Sequence, residues 1–143
     1  QLVSALKSRG IEVLGNSSVY GLNSEIIETN DEKVLYEEFL APKIFLSLVP
    51  DITEAIRLIN AYSGKHSATI VTNEFPQATR FMQEVDCAAV YHNASTRFTD
   101  GGEFGLGAEI AISTQKLHFR GPIGAEQLVT NKWFVYGNGH IRE

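Results

Sequence analysis

Three short apolar runs separated by two helix-length amphipathic segments most strongly constrain the fold of this 143-residue chain. The runs are Lys43–Val49, Ser67–Thr72 and Cys87–His92, and the first is almost continuously apolar. Nearly continuous apolar runs are typical of strands buried on both faces of a sheet, and the second run is rich in the β-branched residues that favour strands. The order strand, helix, strand, helix, strand with short connections therefore predicts an α/β fold with a parallel β-α-β-α-β core.

Both connecting helices have recognisable start signals. Asp51 is a preferred N-cap residue, and Glu54 follows three positions later, so the pair predicts a capping box. Ser63-Gly64 predicts the end of this helix, and Pro76 predicts the first turn of the next one. The apolar positions that helical spacing places on one face are Ile52, Ala55, Ile56 and Ile59 in the first helix, and Ala78, Phe81, Met82 and Val85 in the second.

The amino-terminal segment predicts a helix over Gln1–Arg9, which Gly10 stops in the left-handed conformation. A short strand over Ile11–Leu14 follows and ends in a Gly15-Asn16 turn. Residues 15–33 are polar and turn-rich and show no clear pattern. Because the first helix has an end signal but no cap before Gln1, we expect a chain cut from a longer protein. The alternative is a helix that frays at its terminus.

The carboxyl-terminal part of the sequence has weaker patterns. Ile110–Ser113 is consistent with a short strand, Gly121-Pro122 with a turn and Gly124–Thr130 with a weak helix. Lys132–Tyr136 predicts an aromatic strand near the end of the chain. An apolar terminal strand with little to cover it favours pairing with another chain.

Composition excludes several classes of protein. Twelve basic and 17 acidic residues give a net charge of −5, which argues against a nucleic-acid or membrane-surface binder. No apolar run approaches the roughly 18 residues that a membrane span needs. The single cysteine rules out an internal disulfide and favours a reducing, cytoplasmic compartment. We therefore expect a globular α/β protein that binds a small molecule or a partner chain.

The segment after the third predicted strand is the best candidate ligand site. In open α/β sheets, ligands bind beyond the carboxyl ends of the strands. Asn93–Phe98 supplies an amide, two hydroxyls and a guanidinium there, and glycine-rich turns follow at Asp100–Gly102 and Phe104–Gly107. Arginine suits a carboxylate or phosphate, and glycine permits close backbone approach, so these residues favour an anionic small molecule. An ordinary polar loop explains the segment equally well.

Other reactive side chains give weaker signals. Cys87 is the sole thiol, but the adjacent Asp86 carboxylate disfavours the thiolate that a nucleophile needs, so we do not expect Cys87 to be catalytic. The four histidines lack metal-ligand spacing, so no metal site is predicted. The glycines between positions 101 and 107 form neither a dinucleotide-binding fingerprint nor a P-loop.

Longer motifs in the last third of the chain are specific to one family. They are NASTRFTDGG at Asn93–Gly102, FGLGAEIAISTQKLH at Phe104–His118, RGP at Arg120–Pro122 and KW at Lys132-Trp133. With these motifs the sequence resembles the C-terminal part of the γ-glutamyl phosphate reductases, also called glutamate-5-semialdehyde dehydrogenases, of the aldehyde dehydrogenase superfamily. Weaker similarity to this family extends back through His66-Ser67 and the Glu38–Leu40 triplet to the opening helix.

The resemblance implies an NADPH-dependent enzyme of proline biosynthesis that reduces L-glutamyl 5-phosphate to glutamate 5-semialdehyde and phosphate. It implies that NADP is bound mainly by a domain outside these residues, and that the catalytic cysteine lies upstream of them. Cys87 falls where this family carries a small residue. The resemblance also implies a division into a catalytic part over 1–125 and an oligomerisation arm over 126–143. A homo-oligomer and glutamate 5-kinase are the expected partners.

The same resemblance assigns candidate site residues. Arg97 is expected to bind either the glutamyl carboxylate or the phosphate, and Glu38 the nicotinamide ribose, unless Glu38 is a solvated loop acid. His118 and Arg120 are either functional or part of a structural turn that fixes the arm. The expected substrate-binding residues are Asn93, Ser95, Thr96, Arg97, Phe104 and Gly105.

Two hypotheses for function remain open from the sequence. The first is a C-terminal portion of the reductase that is inactive alone, because it lacks the nucleophilic cysteine. The alternative is a non-catalytic α/β module that dimerises through its terminal strand.

Overall fold

A computed structural model describes residues 1–107, 109, 112–116 and 119–142. The chain divides into two compact units, residues 1–98 and residues 99–143. All α-helices and strands found among the described residues lie in the first unit, and the second contains turns and a 3-10 helix at Ala125–Leu128. None of the helices in the described ranges is long and apolar enough to span a membrane.

The first sheet has three parallel strands in the order β2-β1-β3. Strand β1 is Glu12–Gly15, β2 is Ile27–Glu28 and β3 is Lys43–Leu46. Leu14 pairs with Ile27 on one side of β1 and with Phe45 on the other. The other helical elements around this sheet are α1 at Leu2–Lys7, α2 at Ser17–Tyr20 and a 3-10 helix at Glu32–Tyr36.

A small apolar core supports this sheet. Val13, Val19 and Ile26 are buried, and Leu6 of α1 packs against them. Gly10 has φ +74°, so the predicted left-handed stop after α1 is confirmed. Both α2 and β2 lie within residues 15–33, for which no element was predicted. Burial of Val19 and Ile26 stabilises this segment, and the Asn16 side chain caps the start of α2.

The second sheet pairs β4, Ser67–Ile70, in parallel with β5, Ala89–His92. Helix α3, Ile52–Tyr62, precedes β4, and α4, Phe75–Glu84, connects the two strands. The predicted parallel α/β fold is thus confirmed, although β3 pairs with β1 instead of β4, so the described strands form two sheets. The second sheet with α3 and α4 forms a second layer, whose core consists of the buried side chains of Ile56, Ala68, Phe81, Val85 and Cys87.

The start of α3 follows the sequence prediction only in part. Asp51 is the N-cap, and its Oδ1 accepts a hydrogen bond from the Glu54 amide at 2.9 Å. The predicted capping box is wrong in its second half. The Glu54 carboxylate instead accepts two hydrogen bonds of 2.7 Å from the Arg57 guanidinium, one turn further along the helix. A charged bidentate partner is a stronger attraction than a single backbone amide.

The second unit differs from the predictions at its end. The segment Lys132–Tyr136, where a terminal strand is predicted, is irregular, and no strand among the described residues pairs with it, so its pairing with a second chain stays a prediction. Its side chains are solvent-exposed, with Trp133 84% exposed. The weak helix expected over Gly124–Thr130 is confirmed as the short 3-10 helix. The strand expected over Ile110–Ser113 lies partly outside the described residues, as does His118. The division at residue 125 stays a prediction.

Candidate functional site

The carboxyl ends of β4 and β5 lie at the same edge of their sheet because the strands are parallel. An open hollow forms there, where sequence reasoning places the ligand. The structure brings three of the predicted substrate residues, Asn93, Ser95 and Thr96, to this hollow. Its complete lining is Thr69, Val71, Asn73, Asn93, Ala94, Ser95 and Thr96.

Asn93 turns the chain immediately after β5. Its φ of +53° is left-handed, a conformation in which asparagine is enriched. The Asn93 backbone amide donates to the Ile70 carbonyl at 2.9 Å. Its side-chain Oδ1 accepts from the Thr72 amide at 3.0 Å, and its Nδ2 donates to the Thr72 carbonyl at 2.9 Å. One residue thus joins the segment after β5 to the segment after β4.

Two more hydrogen bonds hold this edge together. The Thr69 hydroxyl donates to the Ala94 carbonyl at 2.9 Å. His92 Nε2 lies 3.0 Å from the Thr72 carbonyl oxygen. A carbonyl only accepts, so this contact is a hydrogen bond in the tautomer that carries its proton on Nε2. The backbone that enters the candidate loop is therefore fixed to β4 and to the residues directly after it.

A tight turn follows at Ser95. The Ser95 hydroxyl accepts from the Arg97 amide at 3.2 Å, and its carbonyl accepts from the Phe98 amide at 3.0 Å. The Arg97 side chain is exposed, and its guanidinium has no hydrogen bond or ion pair within the described part of the chain. The arrangement combines a restrained backbone with a cation available for an anionic ligand.

Phe104 and Gly105 belong to the second unit and lie in a turn. The Asp100 carboxylate accepts from the amides of Gly102 at 2.8 Å and Glu103 at 3.2 Å. The Phe104 amide donates to the Asp100 carbonyl at 3.0 Å. Gly105 has φ +73°, a conformation that a side chain would strain, so glycine is required by this turn.

The remaining predicted residues lie elsewhere in the first unit. Glu38 is exposed and follows the 3-10 helix that ends at Tyr36. Cys87 is buried in the core beside β5, with its Sγ 3.6 Å from the Ser63 hydroxyl. A buried thiol packed against apolar side chains is poorly placed to attack a substrate, in agreement with the sequence argument.

Sequence reasoning missed a second hollow, of about 340 Å³, at the carboxyl ends of β1 and β3. Asn16, directly after β1, donates from Nδ2 to the Ser47 hydroxyl at 3.1 Å and accepts the Val19 amide at the start of α2. Asn16 and Ser47, the polar residues directly after β1 and β3, were the sequence signal for this hollow. Because residues 15–33 show no clear pattern, the sequence did not reveal that the two strands are neighbours.

One charged pair borders the second hollow, at Glu54, and another lies at the opposite, amino-terminal end of β1 and β3. The hydrogen bond from Arg57 holds the pKa of the Glu54 carboxyl below its ordinary value of 4.5. The hydrogen bond to Glu12 raises the pKa of Lys43 above 10.5, and these two side chains form an ion pair of 2.8 Å between β1 and β3. Among the described residues, no cluster of three potential ligands could hold a metal ion.

Comparison with known proteins gives a consistent result. The Aldehyde dehydrogenase family matches residues 11–108. Over 142 residues, the chain is 51% identical to γ-glutamyl phosphate reductase of Clostridium botulinum (strain Eklund 17B / Type B) and 48% identical to that of Geobacillus thermodenitrificans (strain NG80-2). A crystal structure of γ-glutamyl phosphate reductase from Thermotoga maritima matches with a TM-score of 0.88 and 44% identity. Each match covers 99% of this chain and 34% of the other protein, so the chain spans about a third of these relatives.

Proposed function

This chain belongs to the aldehyde dehydrogenase family, and we propose that it is part of a γ-glutamyl phosphate reductase. The proposed reaction converts L-glutamyl 5-phosphate, NADPH and a proton into glutamate 5-semialdehyde, phosphate and NADP⁺, a step of proline biosynthesis. The observation that carries the substrate assignment is the Arg97 guanidinium. It is exposed and without a partner among the described residues, on a loop that is hydrogen-bonded at the carboxyl edge of β4 and β5.

The substrate carries two kinds of anion, a carboxylate and an acyl phosphate. We propose that Arg97 binds one of them through the paired donors of its guanidinium. The hydroxyls of Ser95 and Thr96 would orient the same group, and Asn93 begins this segment. Phe104 and Gly105 also stay proposed substrate-binding residues, because an aromatic side chain supplies apolar surface and glycine permits close backbone approach.

A nicotinamide cofactor is consistent with the family, and we propose that it is NADPH. When bound, NADPH supplies the hydride that reduces the acyl group. Glu38 fits one part of this cofactor, because an exposed carboxylate can accept hydrogen bonds from the two hydroxyls of a ribose. The sequence has no glycine-rich phosphate-binding motif, so we propose that most cofactor contacts lie outside these 143 residues.

The proposed nucleophile also lies outside these residues, because Cys87 is buried in the core. Residues 1–143 would then bind and orient the substrate while another segment performs covalent catalysis. His118 and Arg120 retain both proposed roles, functional or structural. We expect the isolated chain to be inactive, and NADPH-dependent reduction by this chain alone would overturn that expectation.

Partners and location follow from the same proposal. The reaction that supplies an acyl phosphate is a phosphoryl transfer to a carboxylate, here that of the glutamate side chain. Because acyl phosphates hydrolyse readily, glutamate 5-kinase is the proposed partner. A free cysteine supports a reducing, cytoplasmic compartment.

The test of the proposed site uses the full-length protein that contains this sequence. In the oxidative direction, glutamate 5-semialdehyde and phosphate are separate substrates, so their KM values report separately on carboxylate and phosphate binding. Arg97→Lys should raise one of these KM values about tenfold, equivalent to about 1.4 kcal/mol, because lysine lacks the planar paired donors. The KM for NADP⁺ should not change. Unchanged KM values for both semialdehyde and phosphate would contradict the assignment.

A matched control is Arg9→Lys. Arg9 lies after α1, and its guanidinium donates to the Ala5 carbonyl at the end of that helix. The control makes the same chemical change far along the chain from the candidate loop. It should leave the KM values of all three substrates at the wild-type level.

The second candidate function is self-association through residues 132–136. Trp133 and Tyr136 are 84% and 91% exposed, which is unusual for large aromatic side chains. We propose that this segment pairs with a second copy of the protein. Light scattering should give a mass above that of the monomer, and replacement of Trp133 and Tyr136 by serine should lower it. A monomer mass for the wild type would exclude this interaction.

A further inference from the structure

The side-chain amide of Asn93 bonds to both backbone polar groups of one residue, Thr72, across the edge of the sheet, and we call these two hydrogen bonds the clasp. We propose that Asn93 is a positioning residue, which holds Arg97 ready for the substrate without contacting the substrate itself. This inference rests on the proposed reductase function and assigns a distinct role to the first residue of the candidate segment.

Both ends of the Asn93 amide face Thr72. Oδ1 accepts the Thr72 amide proton at 3.0 Å, and Nδ2 donates to the Thr72 carbonyl at 2.9 Å. His92 Nε2 approaches the same carbonyl at 3.0 Å, which saturates its two lone pairs. The polar atoms of Asn93 are thus committed to the protein, and a substrate would have to compete with two well-formed hydrogen bonds.

The clasp determines where the following residues lie. Ala94 is held by the Thr69 hydroxyl, and Ser95 closes the turn that contains Arg97. Hydrogen bonds and short stretches of backbone therefore connect β4 to the Arg97 amide. Within the described residues nothing holds the guanidinium itself, so its average position depends on this backbone. Preorganisation of this kind reduces the loss of conformational entropy on substrate binding.

The decisive variant is Asn93→Asp in the full-length protein. Aspartate keeps the shape and the Oδ1 acceptor, and it tolerates the left-handed backbone. It replaces the Nδ2 donor by a carboxylate oxygen, which would face the Thr72 carbonyl at 2.9 Å and repel it. Asn93→Gly is the second variant, because glycine also adopts φ +53° and removes both hydrogen bonds without adding charge.

The matched control is Asn73→Asp. Asn73 lies near the clasp, is exposed, and has no side-chain hydrogen bond among those found in the described residues. It introduces the same negative charge at this edge while leaving the clasp intact. A smaller effect of Asn73→Asp than of Asn93→Asp on substrate binding supports the proposal. Equal effects would mean that charge alone is responsible, and would overturn it.

The kinetic test asks whether Asn93 acts through Arg97. Asn93→Asp should raise, by about tenfold, the KM for the same substrate that Arg97→Lys affects, with the KM for NADP⁺ unchanged. The double variant Asn93→Asp/Arg97→Lys should lose less than the product of the two single effects, because both changes disable one contact. A fully multiplicative loss, or an equal rise in the KM for NADP⁺, would overturn the positioning role.

Amide hydrogen exchange separates this proposal from the proposed function. In Asn93→Asp and Asn93→Gly, exchange should accelerate in peptides covering residues 72 and 93–98, and should remain at the wild-type rate in Asn73→Asp. Unchanged exchange in both Asn93 variants would overturn the clasp. A wild-type protein without reductase activity would instead refute the proposed function, and the exchange data would still decide whether Asn93 fixes the loop.

Discussion

Gly15 ends β1 beneath the second hollow, and replacing it with alanine should destabilise the first sheet. Gly15 is buried and pairs with Leu46 of β3. A Cβ at this position would lie 2.9 Å from Ile26 Cγ2, 3.2 Å from Val19 Cβ and 3.3 Å from the Leu46 carbonyl oxygen. All three distances are shorter than an ordinary van der Waals contact, so the neighbouring atoms would have to move.

The expected magnitude follows from those contacts. Overpacking a buried site by one methyl group costs about 1–3 kcal/mol. The middle of this range applies, because Ile26 and Val19 are themselves buried core residues and the Leu46 oxygen is backbone of the paired strand. A loss of about 2 kcal/mol corresponds to a decrease in Tm of roughly 8 °C for a domain of this size.

The assay is thermal unfolding followed by circular dichroism, combined with amide hydrogen exchange of peptides covering β1 and β3. The matched control is Gly21→Ala, because Gly21 has an ordinary helical φ of −59° and its Cβ would meet the Ser17 carbonyl at 3.4 Å. This control should be neutral or stabilising by a few tenths of a kcal/mol. A Tm for Gly15→Ala equal to that of Gly21→Ala would refute the packing argument.

Two further predictions concern the helices of the second layer. Asn60→Ala should lower the free energy of unfolding by about 2 kcal/mol, measured by urea denaturation. The reason is that Asn60 donates to the Glu84 carbonyl at 2.8 Å and accepts from the Asp86 amide at 2.7 Å; an unchanged midpoint would show that neither bond contributes. Glu54→Gln should destabilise the protein near neutral pH, because the Arg57 hydrogen bond lowers the pKa of Glu54 and favours its charged form in the folded state. That contribution is present above pH 4.5 and is lost as the pH falls through the lowered pKa, so the wild-type and variant Tm values should converge in acid; a constant difference would contradict it.

Local sequence signals predicted the elements whose stability depends on nearby residues. Gly10 ended α1 because glycine adopts the left-handed conformation readily, and Asp51 began α3 because its carboxylate satisfies a free backbone amide. The strand predicted at Lys132–Tyr136 depends instead on a partner that the described residues do not supply. A strand needs a partner for its backbone groups, and no local pattern reveals whether that partner is present.

The candidate site shows the same limit. The residue types of Asn93–Phe98 pointed to an anion site, and parallel strands predicted its edge of the sheet. The sequence alone did not show that the amide of Asn93 bonds to Thr72, 21 residues earlier. That contact depends on the register of β4 against β5, which sets Ile70 opposite His92.

The sequence by itself determined the fold class and the family resemblance, because apolar runs, caps and long motifs are properties of neighbouring residues. Only the tertiary structure decided the pairing of β3 with β1, the burial of Cys87 and the attachment of Asn93 to Thr72. These features require residues distant in the chain to meet, and they depend on packing and strand register. The physical reason is that the free energy of a long-range contact depends on both of the segments that meet, so neither segment alone encodes it.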